Sequence, residues 1–403
     1  MSYLKNKKES QCSGCGACIA ACPKKCIVMQ CDSEGFKYPY IDLENCIHCD
    51  KCVKVCEDCT NYKEFGKEYK QKAFIGIHNS LPVLERSSSG GAFSAICEAF
   101  SEDMNLRYAF FGCMVRNKYE VIYDYVESYN QIDCFRKSKY VQADTRDSFL
   151  KVRELLNQGV YVLFSGTPCI VAGLRSFLGK EYNNLLCVDL VCHGVPSQNI
   201  FKDHIAWLEK KQKDSIVYFG FKNKKAIDSV VNTRTAYIQY ESGKNSVVSL
   251  WDDVYLKGYY SRLFYRKSCM ECPYACSSRV GDITVADAWG FEGVIDGIEP
   301  VEGISAVICN SSKGEAIYDK LGKYMKIHPV EVESVIERNE QLRKPTKCHV
   351  HRNIFFRLYK ITHNVNLSVK VAMFSVKVTI KKIIKKILPD FLVEKLKQGL
   401  KRA

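Results

Sequence analysis

The chain has 403 residues, with 59 lysines and arginines against 45 acidic residues for a formal charge of +14, and 22 cysteines. That length is too great for one small core and suits two or three domains. So many cysteines in so long a chain, gathered in clusters, exclude a small secreted disulfide scaffold. The first eleven residues are polar and lysine-rich, without the apolar core of a secretory signal, so the reducing cytoplasm of an anaerobic cell is the expected location.

Two cysteine runs come first: Cys12, Cys15, Cys18 and Cys22 followed by Pro23, then Cys46, Cys49, Cys52 and Cys56. Three thiolates on one tight loop with a fourth on the helix behind is the spacing that holds paired cubane iron–sulfur clusters, each fourth cysteine reaching to the other cluster. Cluster one then takes Cys12, Cys15, Cys18 and Cys56, and cluster two Cys46, Cys49, Cys52 and Cys22. Zinc knuckles are the competing reading, but they use two paired ligands per loop. Ser13, Gly14, Gly16 and Ala17 leave room for a cluster and for N–H groups aimed at its sulfurs. The second run differs, with His48 and Asp50 inside the loop and Glu57 in place of the proline. Carboxylates there lower that cluster's expected potential, because reduction adds negative charge. Cys26, Cys31 and Cys59 fall outside both runs and read as spare thiols.

Tyr62 to Lys72 is polar and charged, as a linker would be. Ser87, Ser88, Ser89, Gly90 and Gly91 then run into the apolar helical pattern of Ala92 to Phe100. That start reads equally as a phosphate-binding helix terminus or as an ordinary serine cap. Thr145 to Gln158 reads as a helix capped by Asp144 or Thr145, and Val160 to Phe164 as a buried strand. The strand stops at Ser165, Gly166, Thr167, Pro168 and Cys169 before a helix to Leu178. A second buried run, Leu185 to Val191, ends at Cys192, His193, Gly194, Val195 and Pro196 and leads into a helix around Phe201 to Leu208. Two strand–loop–helix units imply a parallel sheet with both cysteine loops at its ligand-binding, carboxyl edge. Cys269 and Cys272, followed by Pro273 and Cys276, precede a strand over Asp282 to Val285. From spacing alone this pair suits zinc, a redox dithiol or chance equally well. No G-x-G-x-x-G fingerprint occurs, so a Rossmann-type nicotinamide site is unsupported.

At the end of the chain, nine lysines and one arginine against Asp390 and Glu394 concentrate +8 of the +14 on residues 364–403, which argues against a nucleic-acid partner for the body. Ile380, Ile383, Ile384, Ile387 and Leu388 recur at helical spacing opposite Lys381, Lys382, Lys385 and Lys386. This is a basic amphipathic helix ended by Pro389, too interrupted by charge to span a bilayer. It suits peripheral contact with an anionic inner-membrane face, or docking on its own domain.

Five ordered motifs, SSSGGAFS from Ser87, KYVQAD from Lys139, GTPC with AGL from Gly166, DLVCHGVPS from Asp189 and DITVADAWG from Asp282, together resemble the beta subunit of coenzyme F-420 hydrogenases and dehydrogenases. The resemblance covers roughly residues 72–308, and many members carry a ferredoxin module in front. It implies FAD and a further 4Fe-4S cluster in this domain, the cluster held by Cys169, Cys192, Cys269 and Cys272, with Cys276 able to replace one of them. It also implies flavin contacts at Ser87, Ser88, Ser89, Gly90 and Gly91, at Lys139, Tyr140 and Gln142, and at Gly166, Thr167 and Pro168. Lys139, or Arg86, would stabilise the anionic reduced ring, and His193 would either relay a proton or orient the Cys192 loop.

The expected fold is an α+β bacterial-type ferredoxin module over 1–62 and a larger α/β flavin and iron–sulfur domain over 63–345. The larger domain has an N-terminal part at about 72–155 and a C-terminal part at about 156–330, and 346–403 form the basic amphipathic tail. The expected activity couples one-electron traffic through clusters to two-electron hydride chemistry at FAD. Its partners are a ferredoxin or a dehydrogenase or hydrogenase subunit, and a small-molecule hydride donor or acceptor such as a deazaflavin. Two other readings stand beside it: an electron-relay subunit whose substrate chemistry belongs to a partner, and an accessory protein of surface-polysaccharide assembly.

Overall fold

A computed structural model of the chain describes residues 8–60, 69–224, 235–291 and 303–374. Most of the expected linker, the side chains of Glu57 and Cys59, and the lysine-and-isoleucine segment with its expected helix lie outside the described residues. Among the described residues no helix is long and apolar enough to cross a membrane.

The cysteine-rich start folds as helix α1 (Ala17–Ala21), an antiparallel hairpin of β1 (Ile27–Cys31) and β2 (Lys37–Ile41), and helix α2 (Lys51–Thr60). Gly14 and Gly16 of the first cysteine loop have φ of +72° and +82°; the matching His48 and Asp50 of the second have +52° and +53°. Both loops therefore follow one left-handed path, which glycine adopts freely and other residues adopt at a cost.

What each loop faces explains the difference. A Cβ on Gly14 would lie 2.7 Å from Gln142 Nε2, and one on Gly16 would run into Thr145 Oγ1. His48, Cys49 and Asp50 are exposed, so the second loop has room for side chains.

The body is built on an eight-stranded mixed sheet. Its strands are β3 (Lys72–His78), β4 (Tyr108–Arg116), β5 (Glu120–Val126), β6 (Tyr161–Gly166), β7 (Leu185–Leu190), and the later β11 (Ile283–Asp287), β12 (Ser305–Cys309) and β13 (Met325–Val330). Between β7 and β11 a separate antiparallel sheet of β8 (Ile216–Asn223), β9 (Thr235–Tyr240) and β10 (Asn245–Ser249) intervenes. The order across the large sheet is β13-β3-β12-β11-β7-β6-β4-β5. Its central strands β4, β6, β7 and β11 are parallel, as the strand–loop–helix pattern predicts, and both flanks are antiparallel.

Early in the body come helices α3 (Leu81–Glu85), α4 (Ala92–Phe100), α5 (Ser148–Asn157) and α6 (Pro168–Leu178). They are followed by α7 (Gln198–Gln212), α8 (Val254–Tyr260), α9 (Ser312–Leu321), α10 (Val332–Arg338), α11 (Arg352–Thr362) and α12 (Val365–Ala372). The apolar faces of α5 and α6 close over β6 around Phe149, Phe164, Val171 and Leu174. α4 and α9 cover the other face around Phe74, Ile96, Val307 and Leu321. α11 and α12 bury Phe355, Phe356, Tyr359, Val365 and Val369 in a core shared with Phe36 of the cysteine module and Phe201 of α7.

α5 starts three residues later than its pattern predicts, because the two expected caps are used elsewhere. Asp144 forms an ion pair with Lys37 at 2.6 Å, and Thr145 Oγ1 donates to the Cys15 carbonyl at 3.2 Å. Both residues fasten the cysteine module to the body. Gln142 Nε2 donating to Ser13 O (2.9 Å), Ser176 Oγ donating to Val55 O (2.6 Å) and the buried Arg352–Glu34 pair complete the attachment.

The contrast between the loops is open to test. Gly16→Ala combines a left-handed φ with a contact against Thr145 and should destabilise the anaerobically prepared protein by about 2–4 kcal/mol. His48→Gly should stabilise it by about 1 kcal/mol. Denaturant unfolding of both variants beside the parent measures the two effects.

Candidate functional site

The carboxyl ends of the parallel strands carry the site, as the switch-edge rule for such sheets requires. β6 delivers Gly166, Thr167 and Cys169; β7 delivers the loop Val191 to Val195; β11 delivers Asp287 and Trp289. Together with the Ser87–Gly91 turn and the Lys137–Gln142 segment they enclose a cavity of about 640 Å³. Of the residues that the resemblance marks for flavin, Ser87, Ser88, Ser89, Gly91, Lys139, Tyr140, Gln142, Gly166 and Thr167 line it. Gly90 does not; it is pressed onto the sheet, where its carbonyl accepts from His78 N at 2.8 Å and a Cβ would meet Ser305 N at 2.6 Å. Pro168, the first residue of α6, lines a second cavity instead.

The serines of the turn do not cap α4. Gly91 occupies the cap position with φ +83° and no side-chain bond, while Ser87 Oγ donates to Val83 O and Ser89 Oγ to Ile304 O. Ser88 Oγ accepts from Ser138 N at 2.9 Å, tying the two cavity-lining segments together. Lys139 Nζ donates to the carbonyls of Cys134 (3.0 Å) and Arg136 (2.7 Å), and its burial pulls its pKa below the usual lysine value. Arg86 is engaged outside the cavity with Asp133 and is not among its lining residues. Tyr140 stacks on Tyr259, ring centres 4.1 Å apart, and both line the cavity.

Two groups of cysteines, and a pair at Cys22 and Cys26, emerge from the electrostatics. Burial raises the Cys18 thiol well above its ordinary value, and Cys15, Cys12, Cys56 and Cys52 beside it raise it further. Burial also raises Cys12, with Arg266 pulling the other way. Burial opposes it at Cys22, but N–H groups of Cys26, Lys24 and Lys25 hold that thiol below the ordinary value. Cys26, whose Sγ stands 3.5 Å from that of Cys22, is pushed up to about 11 by burial and then by its neighbour. Cys22, the cysteine in register with the run, is therefore the more acidic thiol of the pair.

Cys169 is pushed up to about 12 and Cys269 and Cys272 to about 11, in each case by burial first and then by other members of this set; Cys192 rises well above its ordinary value for the same reasons. The fold thus brings these four distant residues into one neighbourhood. Cys276 is turned aside, with its thiol toward the carbonyls of Ser278 (3.3 Å) and Pro273 (3.7 Å), and lines neither cavity.

Among the described residues no three metal-binding side chains converge as tightly as a single ion requires. A cubane cluster carries its ligand sulfurs on separate irons and needs a wider ring of thiolates. A cationic iron core bound here would replace the protons of thiols so raised, as it does for coordinating thiols.

The second cavity, about 460 Å³, is lined by Cys12, Cys15, Cys18 and Cys56 on one side and Cys169, Cys192, Cys269 and Cys272 on the other. It shares Thr167, Cys169, Cys192, His193, Gly194 and Val195 with the larger cavity. His193 opens onto both, and burial pulls its pKa below the usual histidine value. The sequence motifs do not single out Arg266 or Arg279, the buried cations beside these rings, because an arginine three residues from a cysteine makes no recognisable pattern. Arg279 pairs with Asp189 at 3.0 Å and donates to the Tyr274 and Cys276 carbonyls, which holds the Cys272 loop.

Residues 160–334 match the family model for the C-terminal part of the coenzyme F420 hydrogenase/dehydrogenase beta subunit. Residues 11–58 match the 4Fe-4S dicluster domain. No curated protein matches the chain. Among solved structures, a chain of the F420-reducing [NiFe] hydrogenase complex from Methanosarcina barkeri is similar at 15% identity and a TM-score of 0.42. That likeness covers 68% of this chain and 94% of the other. The chain is thus similar over residues 160–334 to the C-terminal part of the coenzyme F420 hydrogenase/dehydrogenase beta subunit, with a 4Fe-4S dicluster domain ahead of that segment.

Proposed function

We propose that the chain is a flavin and iron–sulfur oxidoreductase subunit that exchanges an electron pair with a small molecule in the larger cavity and single electrons with a redox partner protein. Its three 4Fe-4S clusters are held by Cys12, Cys15, Cys18 and Cys56, by Cys22, Cys46, Cys49 and Cys52, and by Cys169, Cys192, Cys269 and Cys272. The observation that carries this reading is the shared wall of the two cavities. The Cys169 and Cys192 loops front both the flavin-sized space and the ring of the first cysteine run.

FAD in the larger cavity would supply the conversion between pair and single-electron chemistry. The volume falls within the roughly 300–1,000 Å³ of small-molecule and cofactor sites. Lys139 offers its remaining N–H to an anionic ring from a position fixed by two carbonyls. His193 faces both cavities, where its imidazole would relay a proton. The exposed second loop, with Ile47, His48 and Cys49 at the surface, is the entry or exit for the partner's electrons.

Anaerobically purified protein should contain FAD and about twelve irons per chain. Cys192→Ala should retain FAD and fall to about eight irons; twelve irons in that variant would remove the third cluster from these residues. Lys139→Ala should weaken FAD binding about 10- to 100-fold, the loss of one charged hydrogen bond. Equilibrium dialysis of released flavin measures it, and an unchanged dissociation constant would take Lys139 out of the site.

A further inference from the structure

Five arginines of the described body are buried, and four have a carboxylate partner. Arg175 pairs with Asp282 and Glu181, Arg279 with Asp189, Arg136 with Asp133, and Arg352 with Glu34. Arg266 is different. It is fully enclosed, at 0% exposure, and among the described residues no carboxylate lies within ion-pair distance of it. Its Nε donates to the Cys12 carbonyl (2.8 Å), one terminal nitrogen to Gln142 Oε1 (3.0 Å), and the other to the Lys37 carbonyl (2.9 Å). Its guanidinium lies over the Tyr38 ring at 4.2 Å and near Phe36 at 5.6 Å. The nitrogen facing Lys37 also stands 3.8 Å from Cys12 Sγ.

Neutral carbonyls and ring faces satisfy the donors of a guanidinium but do not cancel its charge, and a buried charge is costly unless it is paired. The nearest group able to become an anion is the first cysteine ring itself. Four thiolates around a cubane core carry net negative charge, and that charge grows by one on reduction. The backbone of Arg266 is tied to the third ring, its N–H donating to the Val195 carbonyl and its own carbonyl accepting from Cys269 N, so backbone and side chain together link the two rings.

We propose that Arg266 is the internal counter-cation of the first cluster, a positioning residue that raises this cluster's potential so that electrons arriving from the third cysteine ring can pass onto it. The inference rests on the cluster assignment proposed above. A fixed positive charge beside the Cys12 ligand stabilises a net-negative cluster in both states, and the reduced, more negative state by more. Gln142 holds the fork in place while its amide nitrogen grips the first loop through Ser13 O, so the cation and the cluster loop move as one unit.

The test is a redox titration of the anaerobically purified full chain, followed by electron paramagnetic resonance, with iron counted in each sample. Arg266 also acts on Cys169 and Cys269 but stands beside Cys12, so in Arg266→Gln one midpoint should move to more negative potential by clearly more than the others. In Arg266→Lys, which keeps the charge, it should remain close to the parent. The shift should persist in a Cys192→Ala background, which assigns it to the first ring and not the third. Full iron with unmoved midpoints in Arg266→Gln would overturn the proposal, as would a lysine variant shifted as far as the glutamine one. If Arg266→Gln loses iron, restoration by lysine supports the counter-charge role and loss in both variants overturns it in favour of packing. A parent chain lacking iron at these cysteines would instead remove the cluster reading itself, so the two failures are told apart.

Discussion

The close approach of the first cysteine loop to the carboxyl edge of the sheet is the constraint on which the rest of the site depends. Gly14 and Gly16 lie against Gln142 and Thr145, and Gly173 on α6 leaves the space filled by Cys15 Sγ, 2.9 Å from where a Cβ would stand. A side chain at any of the three would push the loop away. These three hydrogens in place of carbons thus keep the first cysteine loop where its thiols and those of Cys169, Cys192, Cys269 and Cys272 line one cavity.

The three rings differ in how they come together. The first two draw their cysteines from short loops and helices within a stretch of about fifty residues, close enough in sequence for metal binding and local folding to proceed together. The third draws Cys169, Cys192, Cys269 and Cys272 from three segments that meet only after β6, β7 and the separate β8–β10 sheet are in place. Two buried ion pairs stiffen that meeting point: Arg175 with Asp282 and Arg279 with Asp189. Asp282 also accepts from Cys187 N, and Asp189 from Gly281 N, so each carboxylate spends its second oxygen or lone pair on the neighbouring strand. Breaking either pair would strand a charge inside the sheet, which makes the strand ends rigid where the cysteine loops depart.

Much of this is legible in the sequence because spacing encodes it. The paired cysteine runs, the strand–loop–helix units and the position of Cys169 and Cys192 at strand ends follow from periodicity and turn residues. Less legible is whatever depends on a partner distant in sequence. Asp144 and Thr145 have the form of helix caps, yet their side chains go to Lys37 and Cys15 of the cysteine module, a use no local pattern announces. The antiparallel flanks escape a local reading for a similar reason, since β3 pairs with β12 and β13 more than 200 residues later. Cys22 and Cys26 are distinguished by which thiol receives the backbone N–H groups, a matter of geometry to which composition is blind.

The shared left-handed path of the two cysteine loops has one more consequence. They are two copies of a single backbone device, of which one faces inward and is locked by contact on nearly every side. The outward copy is exposed and already bears Ile47, His48, Asp50 and Lys51 on the same path. Substitution can therefore accumulate on the outer copy without disturbing the inner one. On the proposed function, a chain built this way can change the protein with which it trades electrons while leaving its internal wiring untouched.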